Sequence, residues 1–186
     1  VHQLLGGTKN RIRTYIAGGY YSRDKGLGAL REEMDRNVEE FHATAVKMKI
    51  GDREAGRDHD IERIEAVRKQ IGRDVTLMVD ANCALTVKEA IAFLPALKAN
   101  NVYWFEEPVR SSDIEGHRDV RDAAKDFGVL IATGENGYSI YHFRNLINAA
   151  GADVFNIDVA ILPGYDPALT VVEESLARGK LIAPHG

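Results

Sequence analysis

The chain has 186 residues, of which 45% are hydrophobic, with 24 Lys and Arg against 28 Asp and Glu for a formal net charge of -4. That content supports a packed core and argues against disorder, and the slightly acidic balance gives no reason to expect nucleic-acid binding. A single cysteine, Cys83, excludes an internal disulfide framework, and no apolar stretch is long enough to span a bilayer, so a soluble cytoplasmic protein without membrane contact is the expectation.

In chain order, seven short apolar runs read as strands: Arg13 to Ala17, Ala45 to Ile50, Thr76 to Asp80, Val102 to Phe105, Val129 to Ala132, Val154 to Ile157 and Lys180 to Ala183. Helical patterns separate them. Leu27, Leu30, Met34, Val38 and Phe41 recur with a helical period, as do Ile61, Ile64, Val67 and Ile71, so each segment can bury one stripe against a sheet. Thr86 and Glu89 have the spacing of a capping box ahead of Ile91, Leu94 and Leu97, while Asp166-Pro167 marks a helix start and Gly179 a stop. Short strands alternating with helices predict an α/β fold with a parallel sheet.

Ionisable residues close these runs. Lys47 and Lys49 flank Met48, and Asp80, Glu106, Glu135, Asp158 and His185 follow at steps of 31, 26, 29, 23 and 27 residues from Lys49. An eightfold barrel of about 250 residues has roughly 30 per β/α unit, and its active site lies at the strands' C-terminal ends. The reading is therefore a (β/α) TIM-type barrel that is incomplete in this chain, with about seven of eight strands. The absence of an initiator Met agrees with a segment of a longer protein.

Three converging carboxylates without Cys or a His cluster suit a hard cation such as Mg²⁺. Successive strand residues point to opposite faces, so only one of Glu106 and Glu107 can face that metal, and the spacing does not choose. Asn82 shares the parity of Asp80 and can reach substrate or metal-bound water; Asn136, next to Glu135, is the other polar candidate. Lys47 and Lys49 should point the same way, where two ammonium groups beside a divalent cation disfavour protonation, as a general base near neutral pH requires. Each acid alone could simply cap a helix, and each lysine could be a solvated strand end.

Lys47-Met48-Lys49, Val79-Asp80-Ala81-Asn82, Trp104-Phe105-Glu106-Glu107-Pro108, Gly134-Glu135-Asn136, Asp158 and Pro184-His185-Gly186 together resemble, in order, the motifs of the enolase superfamily, specifically its mandelate racemase subgroup. The resemblance runs from about Tyr15 to the final residue. It implies an N-terminal α+β capping domain and an eighth strand, neither present in this chain. It also implies Mg²⁺ as cofactor, with Asp80, Glu106 and Glu135 as ligands and Glu107 left for a contact behind them or in the loop. Lys49 is then the base tuned by Lys47, and Asp158 fixes the tautomer of His185 for the opposite face. Around Asp158 the chain reads Phe155-Asn156-Ile157-Asp158, where the family often has Gln-Pro-Asp.

The implied chemistry is removal of the proton next to a carboxylate to give an enediolate. Lys-Met-Lys-Ile-Gly, Ala-Thr-Gly-Glu-Asn and Ala-Pro-His-Gly look most like the acid-sugar dehydratases, the tartrate dehydratase branch in particular, with a 2-hydroxy-acid racemase or epimerase as the other outcome. The expected partner is a small-molecule carboxylate, and the full-length protein is expected to be a homo-oligomer. A Schiff-base aldolase would leave three carboxylates unexplained, and a barrel that only binds metal or a partner is a further alternative. His2, His42, His59, His117 and His142 read as loop residues, Cys83 as a small filler, and Trp104, Phe105 and Phe155 as packing. Gly6-Gly7 and Gly18-Gly19 lack the lysine and the strand-to-helix placement of a phosphate loop.

Overall fold

The computed structural model describes residues 3–186. Seven strands alternate with six α-helices: β1 Ile16–Gly18, α1 Leu27–Glu39, β2 Ala45–Lys49, α2 Gly56–Ile71, β3 Thr76–Asp80, α3 Val87–Ala99, β4 Val102–Glu106, α4 Ile114–Ala124, β5 Leu130–Thr133, α5 Ile140–Asn148, β6 Val154–Phe155, α6 Tyr165–Ala177 and β7 Leu181–Ile182. All neighbours pair in parallel, in the order β1-β2-β3-β4-β5-β6-β7. The incomplete (β/α) barrel of about seven strands anticipated from the strand-end spacing is present.

Side-chain alternation divides the core in two. Val46, Met48, Leu77, Val79, Phe105 and Ile131 face outward and pack with Leu30, Met34, Ile64, Val67, Phe93 and Leu94 of the helices. Met78, Trp104, Ala132 and Val154 face inward, joined by Tyr15, Ala45, Leu130 and Ala183. Tyr15, just before β1, meets Trp104 of β4 edge to face at 5.5 Å between ring centroids. Three strand spacings on a flat sheet come to about 14 Å, so this contact reports a sheet curled towards closure.

A register shift sits between β3 and β4: Leu77 pairs with Val102, but Val79 pairs with Phe105. The extra residue lets Val102 and Phe105, three apart, both pack beneath the helices. It also brings Asp80 level with Glu106, and Lys49 is level with Asp80 in the preceding pair. Three ionisable residues therefore share one rung.

Local chemistry ends the helices largely as the sequence indicates. The Thr86–Glu89 capping box is complete, and Gly179, at φ +68°, follows the last turn of α6. The α1 stripe, however, stops before Phe41. His42 turns left-handed at φ +53°, Ala43 donates back to the Asn37 carbonyl, and Phe41 is left 57% exposed. β1 begins three residues later than the run Arg13 to Ala17 suggests. β6 is shorter than Val154 to Ile157, yet parallel bonding continues irregularly beyond it, with Ala183 N–H donating to Phe155 and His185 N–H to Ile157. No helix among the described residues is long and apolar enough to cross a membrane.

Candidate active site

Carboxylate oxygens of Asp80, Glu106 and Glu135 all lie within 4.8 Å of one another at the C-terminal ends of β3, β4 and β5. Asp80 and Glu106 are completely buried. Glu135 stands two residues past β5, beyond Gly134 at φ +132°, where an added Cβ would come within 2.9 Å of Phe143 and 3.3 Å of the Asn156 backbone. Only glycine allows the chain to turn there, and the turn delivers Glu135 to the cluster. Glu135 Oε2 is buried and accepts no hydrogen bond, although the His185 imidazole Nε2 stands 3.3 Å away. An all-oxygen donor set with an unspent acceptor fits a hard cation such as Mg²⁺, with Asp80, Glu106 and Glu135 placed to hold it.

The two lysines approach from β2. Lys49 Nζ lies 2.5 Å from Asp80 Oδ2, and Lys47, 3% exposed, lies 3.3 Å from the same oxygen while also pairing with Glu106. Burial pulls the Lys47 ammonium down, but the Glu106 and Asp80 carboxylates outweigh it and hold the group above the ordinary lysine range. This reverses, for Lys47, the shift expected of two adjacent ammonium groups: the acids around it dominate. Burial lifts the Glu106 carboxyl, opposed by the Lys47 charge.

On the other flank, Asp158 and His185 form an isolated parallel bridge. His185 Nδ1 is 3.0 Å from Asp158 Oδ2, and Nε2 is 3.3 Å from Glu135 Oε2. The imidazole hydrogen bond, followed by the Ala160 N–H on Oδ1, holds Asp158 below the usual carboxylate range. As a carboxylate Asp158 only accepts, so His185 donates from Nδ1 and turns Nε2 towards the acidic cluster. The residues of the altered motif do not prevent the pairing.

The amides divide. Asn82 Nδ2 donates to Glu135 Oε1 at 3.2 Å, at the rim of the cluster. Asn136 instead directs its Nδ2 to Glu107, 2.9 and 3.0 Å from the two carboxylate oxygens. Glu107 is buried behind Glu106 and also accepts from Cys83 Sγ at 3.3 Å. Burial pushes the Cys83 thiol up to about 12, the opposite of an activated nucleophile.

Three groups went unread in the sequence. Trp104 packs inside the barrel, yet its Nε1–H also donates to Glu106 Oε2 at 3.0 Å; its two-residue offset from Glu106 was the available signal. Tyr15 places its ring 5.2 Å from Lys47 Nζ, and burial raises its phenol. Arg63 and Asp60 of α2 are buried side by side: Arg63 donates to the Lys49 carbonyl at 2.8 Å and the Gly19 carbonyl at 2.5 Å. Asp60 accepts from Arg63 at 3.2 Å, Gly51 N–H at 2.7 Å and Tyr21 OH at 2.5 Å. This pair clamps the backbone of Lys49 to the loop after β1. Among the other histidines, His59, His117 and His142 lie on helices rather than loops, and His117 is fully buried with Nδ1 2.9 Å from the Asp113 carbonyl; His2 lies outside the described residues.

Comparison with known proteins places this constellation. The family model described as Enolase C-terminal domain-like matches residues 29–186. Arabinonate dehydratase of Saccharolobus solfataricus is 31% identical over 185 residues, 100% of this chain and 48% of that protein. The crystal structure of a racemase from Streptomyces coelicolor A3(2) with bound magnesium superposes with a TM-score of 0.89 at 30% identity, covering 99% of this chain and 53% of that one. L-Talarate dehydratase from Polaromonas sp. JS666, complexed with Mg and L-glucarate, gives 0.88 at 31% identity, covering 99% and 50%. The chain thus spans about half the length of the relatives it matches. With a parallel barrel sheet, three carboxylates on its rim and a family match over most of its length, the chain belongs to the enolase superfamily, in its Enolase C-terminal domain-like family.

Proposed function

We propose that this chain carries the proton-transfer centre of a Mg²⁺-dependent enzyme that removes the α-proton of a carboxylate substrate, and that the whole protein dehydrates a sugar acid or small polyhydroxy acid, tartrate-like, to a 2-keto acid. The observation that carries the reading is the flanking of the acidic cluster: Lys49 touches Asp80 from the β2 side, and His185 touches Glu135 from the β7 side. Two proton-transfer groups on opposite flanks suit a planar enediolate that forms when a base removes the α-proton from one face and that then meets an acid on the other.

Bound Mg²⁺ supplies Lewis-acid stabilisation, several kcal/mol, of the charge that develops on the substrate carboxylate. Lys49 takes the α-proton. Lys47, buried between Glu106 and Asp80, keeps those acids in place and orients the substrate carboxylate. His185, held by Asp158, gives its proton to the departing β-hydroxyl; the C–O bond breaks, water leaves, and the enol product tautomerises to the 2-keto acid. If His185 instead returned a proton to the same carbon, the product would be the inverted 2-hydroxy acid, a racemisation, the class of reaction in the name of the Streptomyces coelicolor racemase.

The test is a screen of the full-length protein against sugar acids in D₂O with Mg²⁺. Keto-acid formation that disappears in Lys49→Ala and Glu135→Gln supports dehydration. Deuterium exchange or inversion without keto acid would promote the racemase. Turnover surviving both substitutions would refute the assignment of this centre, and metal-independent turnover trapped by borohydride would favour an aldolase.

A further inference from the structure

Behind the cluster sits a fourth carboxylate with no role in the proton transfers. Glu107 is 1% exposed, and its hydrogen-bond donors are neutral: the Asn136 amide to both oxygens and the Cys83 thiol to one. Burying a carboxylate among neutral donors is unfavourable compared with an apolar side chain of similar size. Its placement shows what it connects. Glu107 follows Glu106 directly, Asn136 follows Glu135 directly, and Cys83 stands three residues after Asp80. One side chain therefore bridges the three loops that carry the acidic cluster.

The backbone makes the same connections. Cys83 N–H donates to the Glu107 carbonyl at 2.8 Å, and Glu107 N–H to the Ala132 carbonyl at 2.9 Å. Asn82, Cys83 and Glu107 all adopt left-handed conformations, at φ +42°, +62° and +41°. Non-glycine residues hold such angles only where surrounding contacts over-determine them. Loosening the bridge would let these turns relax and the three acids separate.

We propose that Glu107 is a positioning residue that couples the Asp80, Glu106 and Glu135 loops and so sets the affinity of the cluster for Mg²⁺. The inference rests on reading those three acids as the metal ligands. Outer partners of metal-ligating groups typically change metal affinity by roughly 10- to 100-fold when removed. In Glu107→Gln the new amide would set a donor against the Asn136 amide or the Cys83 thiol, breaking part of the bridge without changing its size.

Titration calorimetry with Mg²⁺ alone, on the full-length protein, tests this away from turnover and well below the melting temperature. Glu107→Gln is expected to weaken Mg²⁺ binding roughly 10- to 100-fold, and Asn136→Ala to weaken it less. The double variant should be no worse than Glu107→Gln, because the two act through one bridge. Cys83→Ser, whose hydroxyl can still donate, should bind like the parent protein. A purely structural Glu107 would lower the melting temperature and leave the dissociation constant alone, and a folded Glu107→Gln with unchanged Mg²⁺ affinity would overturn the proposal. Should Glu107→Gln not fold, unchanged affinity in both Asn136→Ala and Cys83→Ala would overturn it equally, and weakened affinity in both would support it. A parent protein that binds no Mg²⁺ would overturn the metal reading first and the proposal with it.

Discussion

Asp60→Asn is the most informative perturbation of the scaffold beneath the site. Asp60 is completely buried and Arg63 is 5% exposed, so removing the charge from Asp60 strands a guanidinium in the interior. The amide can still accept from two of the three donors on Asp60, Gly51 N–H, Tyr21 OH and Arg63, but it meets the third with a donor of its own. Breaking one side of a buried ion pair costs about 3–5 kcal/mol. For a cooperative unit of this size that is a drop of about 6–20 °C in melting temperature. Replacing both members, Asp60→Leu with Arg63→Met, removes the stranded charge and is expected to recover most of that loss. It leaves the Lys49 and Gly19 carbonyls without the Arg63 donor, so the proton abstraction proposed for Lys49 should not recover with the stability. Thermal unfolding followed by circular dichroism, with α-proton exchange measured in parallel, separates the two effects. Asp60→Asn melting within about 2 °C of the parent, less than a 1 kcal/mol effect, would refute the account of this pair as a buried clamp.

Gly134→Ala is expected to cost about 1–3 kcal/mol, since its Cβ would sit 2.9 Å from Phe143 at φ +132°, and to weaken Mg²⁺ binding by moving Glu135; denaturant unfolding and metal titration check the two parts. Thr86→Ala should cost about 1 kcal/mol by removing the capping box and should leave α-proton exchange unchanged, because the Thr86 hydroxyl bonds only Glu89 and none of its hydrogen bonds reaches Asp80, Glu106 or Glu135. Asp158 is held below its ordinary value of 3.8, so the stability it contributes is present above that pH and is lost as pH falls through its lower folded-state value. His185→Ala removes the largest cause of that depression, and the acid-unfolding curve of this variant should fall less steeply below pH 3.8 than that of the parent.

Much of the candidate site was legible because backbone geometry is local and periodic. Alternation along a strand put Lys47 and Lys49 on one face, and the recurrence of an acid at nearly one barrel unit brought Asp80, Glu106 and Glu135 to one rim. The Thr86–Glu89 box and the Gly179 stop are likewise events within one helical turn. Asn136 shows where that reasoning ends: its neighbour Glu135 reaches the cluster, but which carboxylate its own amide finds depends on the loop after β4 lying beside it. Phe41 fits the α1 stripe by period, yet a left-handed turn at His42 ends the helix before that stripe can be buried.

The sequence by itself determined the order of strands and helices, the shared face of the two lysines, the recurrence of acids at strand ends and the family to which they point, and only that family resemblance chose Glu106 over Glu107. Tertiary structure alone decided the charge balance around Lys47, the turning of His185 Nε2 towards Glu135, the bridge from Glu107 to Cys83 and Asn136, and the Arg63–Asp60 clamp on Lys49. The first set follows from torsion angles and side-chain periods repeated every few residues. The second joins side chains from different strands, loops and helices, and its strength comes from burial, which lowers the local dielectric only after the sheet has curled.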